Sequence, residues 1–332
     1  MSKNPWLSVL ISLIFLFCIN ILMVSSISPS SVGKQLIAWG IGLILFFVGR
    51  QVNPKQIASS KWLIFIVCCV LLLIPILFNN ITRGSRRWID IGFTTLQPSE
   101  LVKPWLMLFL ANTNLPLLHL IPTGIIMNQP DLGSALSVLF LMVPIIIYNP
   151  KLIKFCLIGG VIFILISPIL YKLVLHDYQK ERIINFLNPS ADPLGKGYNV
   201  IQSKIAIGSG GLLGKGYKKG TQGQLLFLPE KHTDFMFAAT TEELGFVGVT
   251  IILIAYFFLI KTLITKAFLA TNNRVLFLFT LGIALQIWMQ TFVNIGMNIG
   301  ILPVTGIPLP FLSVGGSSLI ALLFSIGVIY SS

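Results

Sequence analysis

Four stretches of the chain set charged or hydroxylic side chains beside long apolar runs, where ionisable groups are rare and tend to be functional. The first reads Arg83-Gly84-Ser85-Arg86-Arg87-Trp88-Ile89-Asp90 and continues through Gln97-Pro98-Ser99-Glu100 to Lys103. Arginine forks suit a bidentate grip on phosphate, and Trp88 suits the bilayer interface. Ser99 after Pro98 is placed to cap a helix with Glu100 in its first turn. Glu100 and Lys103, at i and i+3, would pair on one face of that helix. An interfacial anchor with a capped helix end accounts for the same residues without any ligand. The second stretch, Gln129-Pro130-Asp131-Leu132-Gly133, reads chiefly as helix-start chemistry.

The third stretch joins Gly220-Thr221-Gln222 to Pro229-Glu230-Lys231-His232-Thr233-Asp234-Phe235 and runs on to Glu242-Glu243-Leu244-Gly245. Its acids stand at the entrance of an apolar run. Asp234, directly before that run, is the best candidate for chemistry; His232 taken alone is more often a structural hydrogen-bonder. The fourth stretch is Asn294-Ile295-Gly296-Met297-Asn298, followed by Pro303, Gly306, Pro308, Pro310, Ser313 and Gly315-Gly316-Ser317-Ser318. Prolines and glycines at this density break helices. Broken helices line substrate sites in membrane proteins, although close helix packing uses the same residues.

These clusters must be positioned by membrane helices. Hydrophobic residues fill 55% of 332 positions, charged residues only 10%, and the mean hydropathy is +0.90. Soluble domains carry about 25% charged residues, so the bilayer has to supply the solvent. Apolar runs fall at 6–25, 35–49, 62–79, 101–112, 115–128, 132–149, 152–175, 235–260, 275–297 and 312–330. They lack the alternation of barrel strands, and in lipid an open chain satisfies its backbone only as helix. The first run is read as a retained helix rather than a cleaved signal. The expected fold is all-α: a polytopic membrane protein of about ten transmembrane helices forming one domain over 1–332. One large extracytoplasmic loop, 176–234, joins helices 7 and 8. Its apolar residues argue for an ordered cap with re-entrant or interfacial pieces. The runs at 101–112 and 115–128 leave room only for short or tilted helices around Asn112-Thr113-Asn114.

Placing the N-terminus in the cytoplasm puts Lys3, Arg50, Lys55, Lys61, Lys151, Lys154, Lys261, Lys266 and Arg274 inside, as the positive-inside rule asks. The net charge of +13 is spread over such loops. It therefore suits anionic lipid and a phosphate-bearing substrate rather than nucleic acid. Cys18, Cys68, Cys69 and Cys156 all lie in apolar runs, which argues against a disulfide framework.

Taken together, the stretches GSRRWIDIGFTTLQPSELVK, QPDLGSAL, ERIINFLNPSADPLGKGYNVIQSKIAIGSGGLLGKG, GTQGQLLFLPEKHTDFMFAATTEELG and NIGMNIGILPVTGIPLPFLSVGGSS resemble the SEDS family of RodA, FtsW and their sporulation relatives. They run from residue 84 to 318 in the family's order and lie nearer the RodA branch than the FtsW branch. The departure is the stretch 104–128, shorter than the family's usual loop and helices.

The resemblance implies a peptidoglycan glycosyltransferase of the bacterial cytoplasmic membrane, with its active site facing outward. It would polymerise lipid II into β-1,4-linked glycan for cell elongation. A lipid II flippase and a non-catalytic scaffold are the alternative readings. The donor sugar carries an α-linked diphosphate and the product bond is β. One in-line displacement with a carboxylate as general base would accomplish that inversion. On this reading Asp234 is the base, or else a ligand to a divalent cation (Mg or Mn) bridging the diphosphate. Arg87, Trp88, Glu100, Lys103, Lys231 and His232 are the expected substrate-binding residues. The expected partners are a class B penicillin-binding protein and other membrane proteins of the elongation complex.

Overall fold

The computed structural model describes residues 5–54, 56–78, 87–90, 92, 95–154, 157–160, 166, 197–225 and 227–331. Helix dominates them, and an all-α polytopic membrane fold results. Five described helices are long and apolar enough to cross a bilayer: Trp6–Ile27, Pro29–Gln51, Lys61–Phe78, Met236–Leu269 and Arg274–Ile299. Arg274–Ile299 is the central one and the most buried of the five.

The runs predicted at 101–112, 115–128 and 132–149 form shorter pieces: Lys103–Asn112, Leu120–Met127, Leu132–Phe140 and Val143–Tyr148. None approaches the ~20 residues that a crossing needs. Pro104, Pro116 and Pro144 each sit at the start of a piece, where a missing N–H costs nothing. Two short helices thus flank Asn112-Thr113-Asn114, as the tight spacing predicts. The run at 152–175 and the first part of the 176–234 stretch fall mostly outside the described residues. The described residues of that stretch are 197–225 and 227–234. The helix Tyr198–Gly210 packs against both Met236–Leu269 and Arg274–Ile299.

Helix ends gather by type. Lys61 Nζ donates to the Asn112 carbonyl at 3.2 Å, and Asn112 Nδ2 to the Pro54 carbonyl at 3.3 Å. Arg274 reaches Asn114 at 3.4 Å and lies over the Tyr148 ring. Lys61 and Arg274, two of the basic residues assigned to one side by the sequence, therefore meet at one end of the bundle.

Glycines set the closest helix contact. Gly316–Ile329 lies along Val32–Gln51. A Cβ at Gly49 would come 2.6 Å from the Phe324 carbonyl oxygen, and one at Gly327 would strike the Phe46 carbonyl. Small residues let backbones approach where lipid gives no hydrophobic drive. Asn20, fully buried, ties this pair to the bundle. It accepts from Gln35 and Trp39 and donates to the Leu312 carbonyl at 2.6 Å.

Candidate active site

A two-residue ribbon, Ile89–Asp90 paired antiparallel with Thr95–Leu96, holds Arg87 and Trp88 beside the helix start at Pro98. Arg87 Nη1 lies 3.3 Å from Asp131 Oδ1, and its guanidinium stands over the Trp88 ring. Asp131 also caps its own helix, accepting from Ser134 N at 3.1 Å and Ser134 Oγ at 2.8 Å, and takes a bond from Gln97 Nε2 at 2.9 Å. The predicted cap is therefore real, and it doubles as an anchor for the arginine. Arg87 Nε and Trp88 Nε1 are buried donors without a hydrogen-bond partner among the described residues. Two such neighbours, costly if left unmade, are suited to an acceptor-rich group such as phosphate.

One expectation for this region needs correcting. Ser99 does not cap the helix. The N-cap position is Gln97, Pro98 opens the helix, and the Ser99 hydroxyl is buried without a partner among the described residues. Proline suits the first helical position, which pushes the cap back by two residues. Glu100 does fall in the first turn. Lys103 Nζ donates to Glu100 Oε1 at 2.5 Å, and both side chains are almost wholly buried. The pair lines a narrow cleft with Gln286, Ser318 and Ser325.

The segment 231–234 is held through its backbone. The His232 carbonyl accepts from Val314 N at 2.8 Å, and the Thr233 carbonyl from Ser313 Oγ at 2.6 Å. The Asp234 carbonyl accepts from Asn294 Nδ2 at 3.1 Å and Asn298 Nδ2 at 3.0 Å. Three successive carbonyls are thus fixed by the fourth motif stretch, whose helix breaks after Ile299. Asp234 is half-buried, and a Cβ at Gly306 would sit 3.6 Å from its Oδ2. Gly133, beside the Asp131 cap, allows the Thr305 carbonyl to come against it. The 305–306 turn therefore lies between the Arg87–Asp131 pair and Asp234 and brings the two clusters to one place.

Lys231 turns elsewhere: its ammonium donates to the Gly223 carbonyl. Burial pushes this lysine below its ordinary range, and the Glu243 carboxylate opposes that shift. An arriving phosphate would oppose it further.

Glu242 and Glu243, read from sequence as possible working groups, staple a loop. Fully buried Glu242 accepts from Lys215 Nζ at 2.7 Å, Thr221 Oγ1 at 3.0 Å and Gln222 N at 3.0 Å. Glu243 accepts from Ser26 Oγ at 2.6 Å and Gln224 Nε2 at 3.2 Å. The sequence reading singled out the stretches that hold Asp131, Asn294 and Asn298 but did not count these residues among the expected site residues. Two asparagines four residues apart in an apolar helix were the available signal.

Among the described residues no group of three or more His, Cys, Asp or Glu is placed to hold a metal ion. A protein cage for Mg or Mn is therefore not present there.

The family of cell cycle proteins comprising FtsW, RodA and SpoVE matches residues 5–332. The peptidoglycan glycosyltransferase MrdB of Escherichia coli K12 is 39% identical over 345 residues, covering 98% of this chain and 92% of that protein. Stage V sporulation protein E of Bacillus subtilis is 36% identical over 315 residues, covering 89% and 85%. A solved peptidoglycan synthase complex, described as coordinating polymerization and crosslinking, contains a chain that superposes with a TM-score of 0.83 at 32% identity, over 99% of this chain and 97% of that one. The rod shape determining protein RodA of Thermus thermophilus superposes with a TM-score of 0.69 at 27% identity, over 98% and 97%. The chain belongs to the FtsW, RodA and SpoVE family.

Proposed function

We propose that this chain is a peptidoglycan glycosyltransferase that polymerises lipid II, with Asp234 as its general base. The observation that carries the residue assignment is how Asp234 is held. Its carbonyl is clamped by two buried amides, and its carboxylate faces the Gly306 turn. The N-cap position of the following helix is Phe235, one residue beyond the aspartate.

Asp234 takes the proton of the acceptor hydroxyl as that oxygen attacks the anomeric carbon of the donor. The bond from that carbon to the diphosphate oxygen breaks, the configuration inverts, and undecaprenyl diphosphate leaves. A sugar hydroxyl is a far weaker acid than a carboxylic acid, so proton transfer and attack are concerted. Arg87 and Trp88 hold the diphosphate with donors that have no partner among the described residues, and Lys231 and His232 precede the base in the chain. Glu100 and Lys103 form the floor beneath the Pro98 helix start. A divalent cation, where one takes part, arrives with the diphosphate, and this mechanism uses none.

The distribution of Lys and Arg supports a site facing the outer side of the bacterial cytoplasmic membrane. A class B penicillin-binding protein supplies the cross-linking, and other elongation-complex membrane proteins assemble with the pair.

The test is polymerisation of purified lipid II by the wild-type chain and by Asp234→Asn, each with its partner. The wild type makes glycan. The variant inserts, folds and binds lipid II, yet polymerises roughly 10²–10⁴-fold more slowly, the usual cost of losing a general base. Near-normal polymer from Asp234→Asn rejects the assignment and moves attention to Glu100. Lipid movement without polymer would identify a flippase, and neither activity a scaffold.

A further inference from the structure

The Asp234 backbone is fixed by a neighbouring helix rather than by its own. Asn294 and Asn298 lie one turn apart on Arg274–Ile299, so their side chains share a face. Both are fully buried. Asn294 Nδ2 bridges the Asp234 carbonyl, at 3.1 Å, and the Ile307 carbonyl, at 2.8 Å. Asn298 Nδ2 reaches the same Asp234 oxygen at 3.0 Å and the Asn294 carbonyl at 2.8 Å. The other end of Asn298 is used too: its Oδ1 accepts from Ala238 N at 3.2 Å.

Ala238 is the third residue of the helix Met236–Leu269. Its N–H is one of the orphan donors that a serine or aspartate at the N-cap would take. Phe235 occupies that position and has no acceptor to offer. Asn298 therefore caps the helix from across the interface. The orientation of its amide follows from the partners, because reversing it would set oxygen against the Asp234 carbonyl and N–H₂ against the Ala238 N–H. Ser203 Oγ anchors the Asn298 backbone at 2.8 Å.

We propose that Asn294 and Asn298 are positioning residues for the Asp234 carboxylate. Together they fix the carbonyl of Asp234 and the first turn that follows it, and so the direction in which its Cα–Cβ bond points. This rests on Asp234 being the general base. Misplacing a reacting group by about 1 Å costs on the order of 10² in rate, so the pair governs turnover without touching substrate.

Three single variants of the full chain, Asn294→Ala, Asn298→Ala and Asn298→Asp, are assayed with lipid II and the partner. kcat, KM and melting temperature are measured for each. Asn298→Asp keeps the acceptor for Ala238, and an anion is favoured at a helix N-terminus, but it has no donor for Asp234. It should melt near the wild type and still turn over slowly. For all three, kcat falls roughly 10–100-fold with KM little changed. In the Asp234→Asn background, Asn298→Ala lowers the residual rate no further, since a positioning residue has nothing left to position.

Wild-type kcat in the variants overturns the proposal. So does activity that falls in step with melting temperature, or an equal fractional loss in the Asp234→Asn background. Failure of all three variants to fold makes the pair a folding element and overturns it as well. An inactive Asp234→Asn beside fully active asparagine variants sinks the clamp alone. An active Asp234→Asn sinks the general-base reading on which the clamp depends.

Discussion

Arg87 Nη1 lies 3.3 Å from Asp131 Oδ1, and the aspartate is the more buried partner, with 2% of its side chain exposed against 25% for the arginine. The aspartate keeps its Ser134 and Gln97 bonds if the arginine goes. Arg87→Ala should therefore fold and reach the membrane. It should use lipid II about 10–100-fold less well, the value of roughly 1.5–3 kcal/mol for a charged hydrogen bond. Arg87→Lys should recover only part of this, since a point charge cannot reproduce a planar fork. Loss of membrane expression in proportion to activity would show that Arg87 serves the fold. The readout is polymer per unit of folded protein.

The Glu100–Lys103 pair behaves differently because both partners are buried. Lys103→Met strands a carboxylate in the interior, which costs about 3–5 kcal/mol, and should lower the melting temperature sharply. Glu100→Gln combined with Lys103→Met removes the charge problem and should restore most of the stability. Polymerisation should stay low in the double variant if the pair also meets substrate. Full activity there would reduce the pair to a packing device.

Much of this was legible in the residues, and the limits are physical. Spacing of i and i+3 announced the Glu100–Lys103 bond, and Pro-Asp announced the Asp131 cap, because both are local. The Arg87–Asp131 bond joins residues 44 positions apart by number, and no periodicity encodes such a contact. Helix ends drifted for a related reason. The run at 235–260 forms Met236–Leu269, with a break at Gly245 that hydropathy does not register. The run at 275–297 forms Arg274–Ile299 and stops where Gly300 adopts a left-handed cap. Their place at the entrance of an apolar run made Glu242 and Glu243 resemble working groups; only their partners identify them as staples.

The proposed orientation is testable because Lys61, Asn112, Asn114 and Arg274 meet at one end of the bundle. In a background without native cysteines, Lys219→Cys, near Gly216, should react with an impermeant thiol reagent added outside the cytoplasmic membrane. Asn272→Cys, in the turn after Lys266, should react only from inside. Labelling of both from one side would break the proposed alternation of crossings.

The break at Gly245 gives the sharpest structural test. Its φ of 68° and ψ of −174° lie in a region open essentially to glycine and costing other residues about 1–3 kcal/mol. A Cβ there would also come 2.5 Å from the Leu213 carbonyl carbon, in backbone that cannot swing aside. The groups freed by the break are taken up by the preceding loop. Lys215 N and Gly216 N donate to the Glu242 and Glu243 carbonyls, while Phe246 N and Val247 N donate to Gly211 and Leu212. Gly245→Ala must either straighten the helix and release these bonds or keep them under strain. It should lower the melting temperature by more than Gly124→Ala, where a Cβ meets nothing within 4 Å. Glu242→Gln is the gentler companion. It removes the charge that Lys215 and the Gln222 and Gly223 amides share, while leaving the backbone bonds at the break. Amide hydrogen exchange should then rise across 220–224 and stay slow at 246–247. Because Lys231 is bonded to the Gly223 carbonyl, polymerisation should weaken as that loop loosens. Unchanged exchange across 220–224 would mean that the break alone docks the loop, and that the buried carboxylate is not its staple.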